Sequence, residues 1–317
     1  MIAPLERSWG IEMKTLVVLT IISLLPVVVA HGQSVSNAGD SINTEYHEGF
    51  SSITPDGLTI FISSDRPGGY GEAEKGIFWA EASYDLYVAH RESISSPWGP
   101  VKNLGPNINT AATEHSPMLS PDGHYLYFVS GRKDLENFGG IDIFVSYRED
   151  VTDDLGWETP VNVGESVNST WGESCPFFQS SEDGTRSFLY FVQAGSGDLA
   201  SLDFKVSELN RATGVWSHPR TMDISTEFGD GHFDAEHGYI WGFGFAGGYG
   251  ASDIWRLDSM AGVRGDQTGN LVNMGTPINT AFEDTMPSAT RDGSLLYFNS
   301  DRPGGFGGFD VYEVRLR

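Results

Sequence analysis

The chain has 317 residues, with 43 acidic against 19 basic side chains and a formal net charge of −24. Phosphate backbones reward clusters of Lys and Arg, so a nucleic-acid binder is excluded. Hydrophobic residues at 39% suffice for a core, 39 glycines mark a turn-rich chain, and the single Cys175 permits neither an internal disulfide nor a cysteine pair with metal-ligand spacing.

The first segment reads as a leader. Lys14 precedes an apolar run from Leu16 to Val29, which closes on Val28-Val29-Ala30, a small-residue pattern of the kind cleaved from exported proteins. The run is too short to span a bilayer comfortably. Glu6 and Glu12 are foreign to a basic leader start, so Met13 is the expected true start. Residues 1–30 are therefore read as a signal peptide. Residues 31–317 are read as one exported domain, periplasmic or extracellular, monomeric and not inserted in a membrane.

An internal period governs the rest. TPDGLTIFISSDR (Thr54–Arg66) returns as SPDGHYLYFVSGR (Ser120–Arg132), more weakly as SEDGTRSFLYFVQ (Ser181–Gln193) and AEHGYIWGFGF (Ala235–Phe245), and again as TRDGSLLYFNSDR (Thr290–Arg302). The turn residues Asp56, Asp122, Asp183, His237 and Asp292 lie 54 to 66 residues apart, so five units consume the chain after Ala30. The second unit shows the order of parts. It opens on Ile108-Asn109-Thr110, reaches Glu114, turns at Asp122-Gly123, runs through Leu126 and Phe128, passes Gly139-Gly140 to Asp142, and ends at Pro160-Val161-Asn162-Val163-Gly164. Short aromatic and β-branched runs between Gly and Asp-Gly turns are strands and hairpins, and no sustained helical period appears.

Four strands repeated radially predict an all-β, five-bladed β-propeller. The last unit stops after Asp310-Val311-Tyr312-Glu313-Val314, its third strand, while Val35-Ser36-Asn37-Ala38-Gly39 matches the fourth-strand segment Val101-Lys102-Asn103-Leu104-Gly105. The N-terminal strand is therefore expected to complete the last blade and cover its open edge.

The run Ser300-Asp301-Arg302-Pro303-Gly304-Gly305-Phe306-Gly307-Gly308-Phe309-Asp310, following the Asp-Gly turn, resembles the WD40-like β-propeller repeat of TolB-type exported bacterial proteins. The resemblance spans essentially residues 31–317. It implies a propeller that serves as a binding or scaffold module, and implies no reaction or ligand.

Residue types found in every unit are best explained by what every blade needs. The Asp-Gly turns and the strand-opening Asp85, Asp142, Asp253 and Asp310 belong to that class, with Asp198 or Asp203 as the fifth. Glu48, Glu114, Glu173, Asp230 and Glu283 form an expected ring of acids, with Arg66, Arg132 and Arg302 beside them in units one, two and five. Units three and four lack the arginine, so a ligand site is expected beside them. Its candidate residues are Glu173, Asp230, His232, Trp241 and Tyr249, with Trp79 on the long first-unit loop; the same aromatics are also what a core needs. A divalent cation at His232 with Asp230 or Asp234 is a weaker reading. No metal is assigned and no other cofactor is expected.

Two functions compete on this reading. The leading one is a non-enzymatic exported module that engages a protein or a glycan through its acidic loop face. The alternative is a glycan-active hydrolase or lyase using carboxylates at the central funnel. Acids shared by all blades point to architecture, whereas acids confined to two or three blades point to chemistry.

Overall fold

The computed structural model describes residues 34–71, 83–181, 183–195, 198–222, 231–234, 239–244, 248–258, 270–290 and 292–316. The leader, Trp79 and Asp230 lie outside them. Blade 1 is a meander of β2 (Glu48–Ile53), β3 (Thr59–Ser64), β4 (Asp85–His90) and β5 (Lys102–Asn103). Blade 2 repeats it with β6 (Glu114–Leu119), β7 (Tyr125–Ser130), β8 (Asp142–Tyr147) and β9 (Val161–Asn162). Blade 3 uses β10 (Glu173–Ser180), β11 (Ser187–Gly195) and β12 (Asp198–Asn210), whose outer edge is shared by β13 (Val215–Trp216) and β14 (Arg220–Thr221). Blade 4 comprises β15 (Gly231–Asp234), β16 (Tyr239–Gly244), β17 (Asp253–Asp258) and β18 (Asn270–Asn273).

Blade 5 supplies only β19 (Asp284–Ala289), β20 (Leu295–Ser300) and β21 (Asp310–Arg315) from the C-terminal end. Its fourth strand is β1 (Val35–Asn37), antiparallel to β21 with Val35 opposite Val314 and Asn37 opposite Tyr312. The innermost strands touch in the order β2, β6, β10, β15, β19 and back to β2. The chain is thus a closed five-bladed β-propeller.

The core lies between blades. Phe61, Leu86 and Val88 of blade 1 pack against Leu126, Phe128 and Phe144 of blade 2, and comparable clusters fill the other junctions. A strand sandwiched in this way is buried on both faces, so β20 (LLYFNS) has six buried residues in a row instead of strict alternation. Four of the innermost strands shift register once, between Gly49 and Ser52, His115 and Met118, Ser174 and Phe177, and Thr285 and Ser288. Ser116, Cys175 and Met286 stand in these bulges with φ near +50°. Cys175 therefore holds a repeat position, and its bulge is part of the frame.

Strand register also selects between two acids of unit three. Gln193 opposes Asp203 just as Ser64 opposes Asp85 and Ser130 opposes Asp142, so Asp203 and not Asp198 is the fifth strand-opening aspartate.

Candidate functional site

In each blade the loop after the second strand and the loop into the next blade's first strand emerge on one face. Two sets of carboxylates stand there, at different depths.

The deeper set is a capping ring. Glu48 Oε2 accepts the N–H of Thr44 at 2.8 Å and Oε1 its hydroxyl at 2.7 Å. Glu114 does the same for Thr110 at 2.7 and 2.8 Å, Glu173 for Ser169 at 3.1 and 2.5 Å, and Asp284 for Thr280 at 2.6 and 2.9 Å. All four acids are fully buried. The expectation of Glu283 at this position is corrected: the acid that caps lies four residues after the Thr or Ser, which in blade 5 is Asp284.

The partners of these acids differ by blade. Arg66 reaches Glu48 at 3.0 Å and Arg302 reaches Asp284 at 2.5 Å. Arg132 instead donates to the carbonyls of Ile108 and Asn107, at 3.0 and 3.4 Å. Without a direct guanidinium contact, burial pushes the Glu114 carboxyl up to about 7 against the hydroxyls of Ser130 and Thr110. In blade 3 Gln193 replaces the serine of blades 1, 2 and 5 and donates to Glu173 Oε1 at 2.9 Å. The expected vacancy beside Glu173 is therefore corrected. Its carboxyl is satisfied, has no access to a ligand, and is held above its ordinary range chiefly by burial.

The shallower set rims the axial funnel. Just before the capping acid stand His47, Thr113, Gly172 and Glu283; facing them are Asp65, Gly131 and Asp301, just after the second strand, and Ala194, near the end of the longer β11. Backbone bonds join them pairwise: Asp65 N–H to His47 O, Gly131 to Thr113, Ala194 to Gly172, and Asp301 to Glu283. Blades 2 and 3 thus carry no ionisable group at this rim, whereas the adjacent blades 5 and 1 carry four; the blade 4 counterparts lie outside the described residues.

The two occupied positions are built alike. The N–H of Glu283 donates to Asp301 Oδ1 at 2.8 Å, and the N–H of His47 donates to Asp65 Oδ1 at 2.8 Å. Burial, then the neighbouring Asp301 charge, raises the Glu283 carboxyl above its usual range. Burial also raises Asp65, whose Oδ2 is enclosed and has no hydrogen-bond partner among the described residues. His47 Nδ1 accepts the Phe309 N–H at 3.1 Å. No group of three His, Cys, Asp or Glu among the described residues is arranged to hold a metal ion.

The remaining sequence candidates fall apart in space. Trp241 is 1% exposed in the core with Phe243, Ile254 and Met274, so it packs and does not stack on a ligand. Tyr249 is 45% exposed on the loop face. His232 stands opposite Trp241 on β15, and its side chain lies outside the description. Sequence reasoning missed the rim. Its signal was the contrast of Ser-Asp-Arg in units one and five with Ser-Gly-Arg in unit two, which was read for its arginine alone.

Fold and rim together define a five-bladed propeller with asymmetric acids at its funnel. No protein-family model matches the chain, and no curated protein matches it in sequence. Among solved structures it is similar to a thermostable family-43 glycoside hydrolase, at 11% identity and a TM-score of 0.52, covering 88% of this chain and 92% of that one. It is also similar to the catalytic domain of a GH62 α-L-arabinofuranosidase from Coprinopsis cinerea, at 11% identity and a TM-score of 0.50, covering 86% and 91%. A TolB from Agrobacterium tumefaciens matches at 14% identity and a TM-score of 0.46 over 90% and 84%. At these identities the likeness is one of fold. It nevertheless corrects the leading functional expectation: several structures that share the fold are glycoside hydrolases, so a non-enzymatic module is no longer the reading that the architecture favours.

Proposed function

We propose that the chain is an exported glycan-active hydrolase whose chemistry lies at the rim of blades 5 and 1. The observation that carries this reading is the confinement, among the described residues, of rim carboxylates to Asp65, Glu283 and Asp301 of two adjacent blades, where blades 2 and 3 carry Gly131, Gly172 and Ala194. A brace needed by every blade would recur in every blade.

Glycoside hydrolysis needs one carboxyl that keeps its proton and one that does not. Glu283 suits the first role, since burial and the Asp301 charge both hold its proton on. It would hand that proton to the departing glycosidic oxygen. Asp301, exposed and fixed by one backbone N–H, suits the role of base or nucleophile at the anomeric carbon. Asp65, buried across the junction, holds the His47 backbone at the rim and does not itself face the substrate. The leader read over residues 1–30 and the TolB-type repeat support an exported location.

The test is hydrolysis of arabinofuranosyl glycans, chosen for the substrates named by the fold neighbours, followed as reducing-sugar release. Glu283→Gln and Asp301→Asn should each lower kcat about 10²- to 10⁴-fold at unchanged melting temperature. Full activity in the double variant, or no turnover of any glycan by the unaltered chain, would refute the reading.

A further inference from the structure

Exposed aromatic side chains are concentrated on the loop face. Tyr70, Trp171, Tyr249, Phe282 and Phe306 are 41 to 50% exposed there. Among the described residues the other strongly exposed apolar ones are the aliphatics Val151, Leu155, Val161 and Val215, plus Tyr125 beside an Asp-Gly turn at the opposite end of its blade.

Folding uses the backbone at these positions and asks nothing of the ring. The N–H of Tyr70, Phe138, Tyr249 and Phe306 is held by Asp85, Asp142, Asp253 and Asp310 at 2.6 to 2.7 Å. The N–H of Trp171 and Phe282 is held by the hydroxyls of Ser169 and Thr280 at 3.1 and 3.2 Å. Ala112 fills the same position in blade 2 with the same bond to Thr110, so the fold accepts a methyl group there.

The backbones that present the rings are rigidly held. In four blades the clamping aspartate takes a second bond from a fourth-strand asparagine: Asn103 to Asp85, Asn162 to Asp142, Asn273 to Asp253 and Asn37 to Asp310, at 2.7 to 2.8 Å. The loops that carry the rings also abut in pairs at blade junctions. A Cβ on Gly250 would strike the carbonyls of Thr280 and Phe282, bringing Tyr249 beside Phe282; Gly307 abuts the Thr44-Glu45 backbone, bringing Phe306 beside Tyr46. These two junctions flank blade 5, and Phe282 and Tyr46 immediately precede Glu283 and His47 in the chain.

We infer that this face binds an uncharged polysaccharide chain laid across the 4/5 and 5/1 junctions, its sugar faces stacked on Tyr249, Phe282 and Phe306 as it passes Glu283. The inference rests on the hydrolase reading for its ligand class. Pre-positioned flat rings provide contact area with little ordering cost, which suits stacking on the apolar faces of sugars. The net charge of −24 repels anionic polymers and gives a neutral chain no penalty.

The experiment is affinity electrophoresis of the Glu283→Gln variant in gels containing soluble arabinan or arabinoxylan, with a sulfated polysaccharide as the charged comparison. Tyr249→Ala and Phe306→Ala should each weaken retardation about three- to tenfold, and Tyr125→Ala should leave it unchanged. Melting temperatures of the variants separate lost binding from lost folding. Equal retardation of the ring variants, or preference for the sulfated polymer, would overturn the inference. Cleavage of a small aryl glycoside without retention by any neutral polymer would overturn it and leave the hydrolase standing. Ring-dependent retention with no turnover by the unaltered chain would support the platform and defeat the hydrolase.

Discussion

The buried asparagine of the Ile-Asn-Thr segment offers a quantitative test of how the blades are joined. Asn109 Oδ1 accepts the Leu86 N–H at 2.8 Å, while its amide donates to Leu86 O at 2.9 Å and to Asn103 Oδ1 at 2.9 Å. Asn109→Ala removes all three bonds. Leu86 O retains the Leu104 N–H at 3.0 Å, so the orphaned group is the Leu86 N–H inside a fully buried residue. An unmade buried donor costs ~1–3 kcal/mol and each of the two other lost neutral bonds ~0.5–1.5 kcal/mol, which sums to about 2–6 kcal/mol. With an unfolding entropy of ~2.1 cal/mol/K per residue, a chain of this size should melt about 3–10 °C lower. Urea unfolding of the variant should show a lower midpoint and an unchanged slope. Asn43 makes the same contacts with Val311 across the ring closure, at 2.8 and 2.9 Å, and its alanine variant should lose a similar amount. A loss below about 1 kcal/mol at either position would refute the reasoning.

Two further outcomes follow from the same geometry. Glu114 binds its proton more tightly folded, near pH 7, than unfolded, near its ordinary value of 4.5, so stability falls as pH rises between these limits, by on the order of 3 kcal/mol. Glu114→Gln should flatten that slope in urea midpoints measured from pH 4.5 to 8, and an identical pH dependence would count against the burial argument. Gly139→Ala should be destabilising, because its Cβ would run into the backbone carbonyls of Ser169 and Trp171, whereas Gly140→Ala meets nothing within 4 Å and should be close to neutral in a thermal melt.

The blade count, the strand order and the N-terminal closure were legible because each is written in features repeated along the chain: Asp-Gly turns, Ile-Asn-Thr segments and Pro-Val-Asn-Val-Gly strands. What escaped were choices between neighbours of like chemistry. Glu283 and Asp284 are both acids, and only the four-residue spacing from Thr280, shared with Thr44 to Glu48, picks the capping one. Gln193 as a partner for Glu173 was hidden because it replaces a serine, not the arginine whose absence drew notice. Trp241 was ambiguous because an alternating aromatic strand describes a platform and a core equally well until neighbours are known; blade packing settles it.

The pairing of β1 with β21 joins residues at opposite ends of the ring. Within most blades, successive strands pair with sequence neighbours, so much of the sheet structure can form as the polypeptide emerges. The last blade alone waits: until Asp310–Arg315 has been made and has found Val35–Asn37, Asp310 lacks Asn37 and the Phe306 loop lacks its second brace. Maturation of the 5/1 junction, where the rim acids and the exposed Phe306 lie, is thereby coupled to the final and most entropically demanding step of assembly.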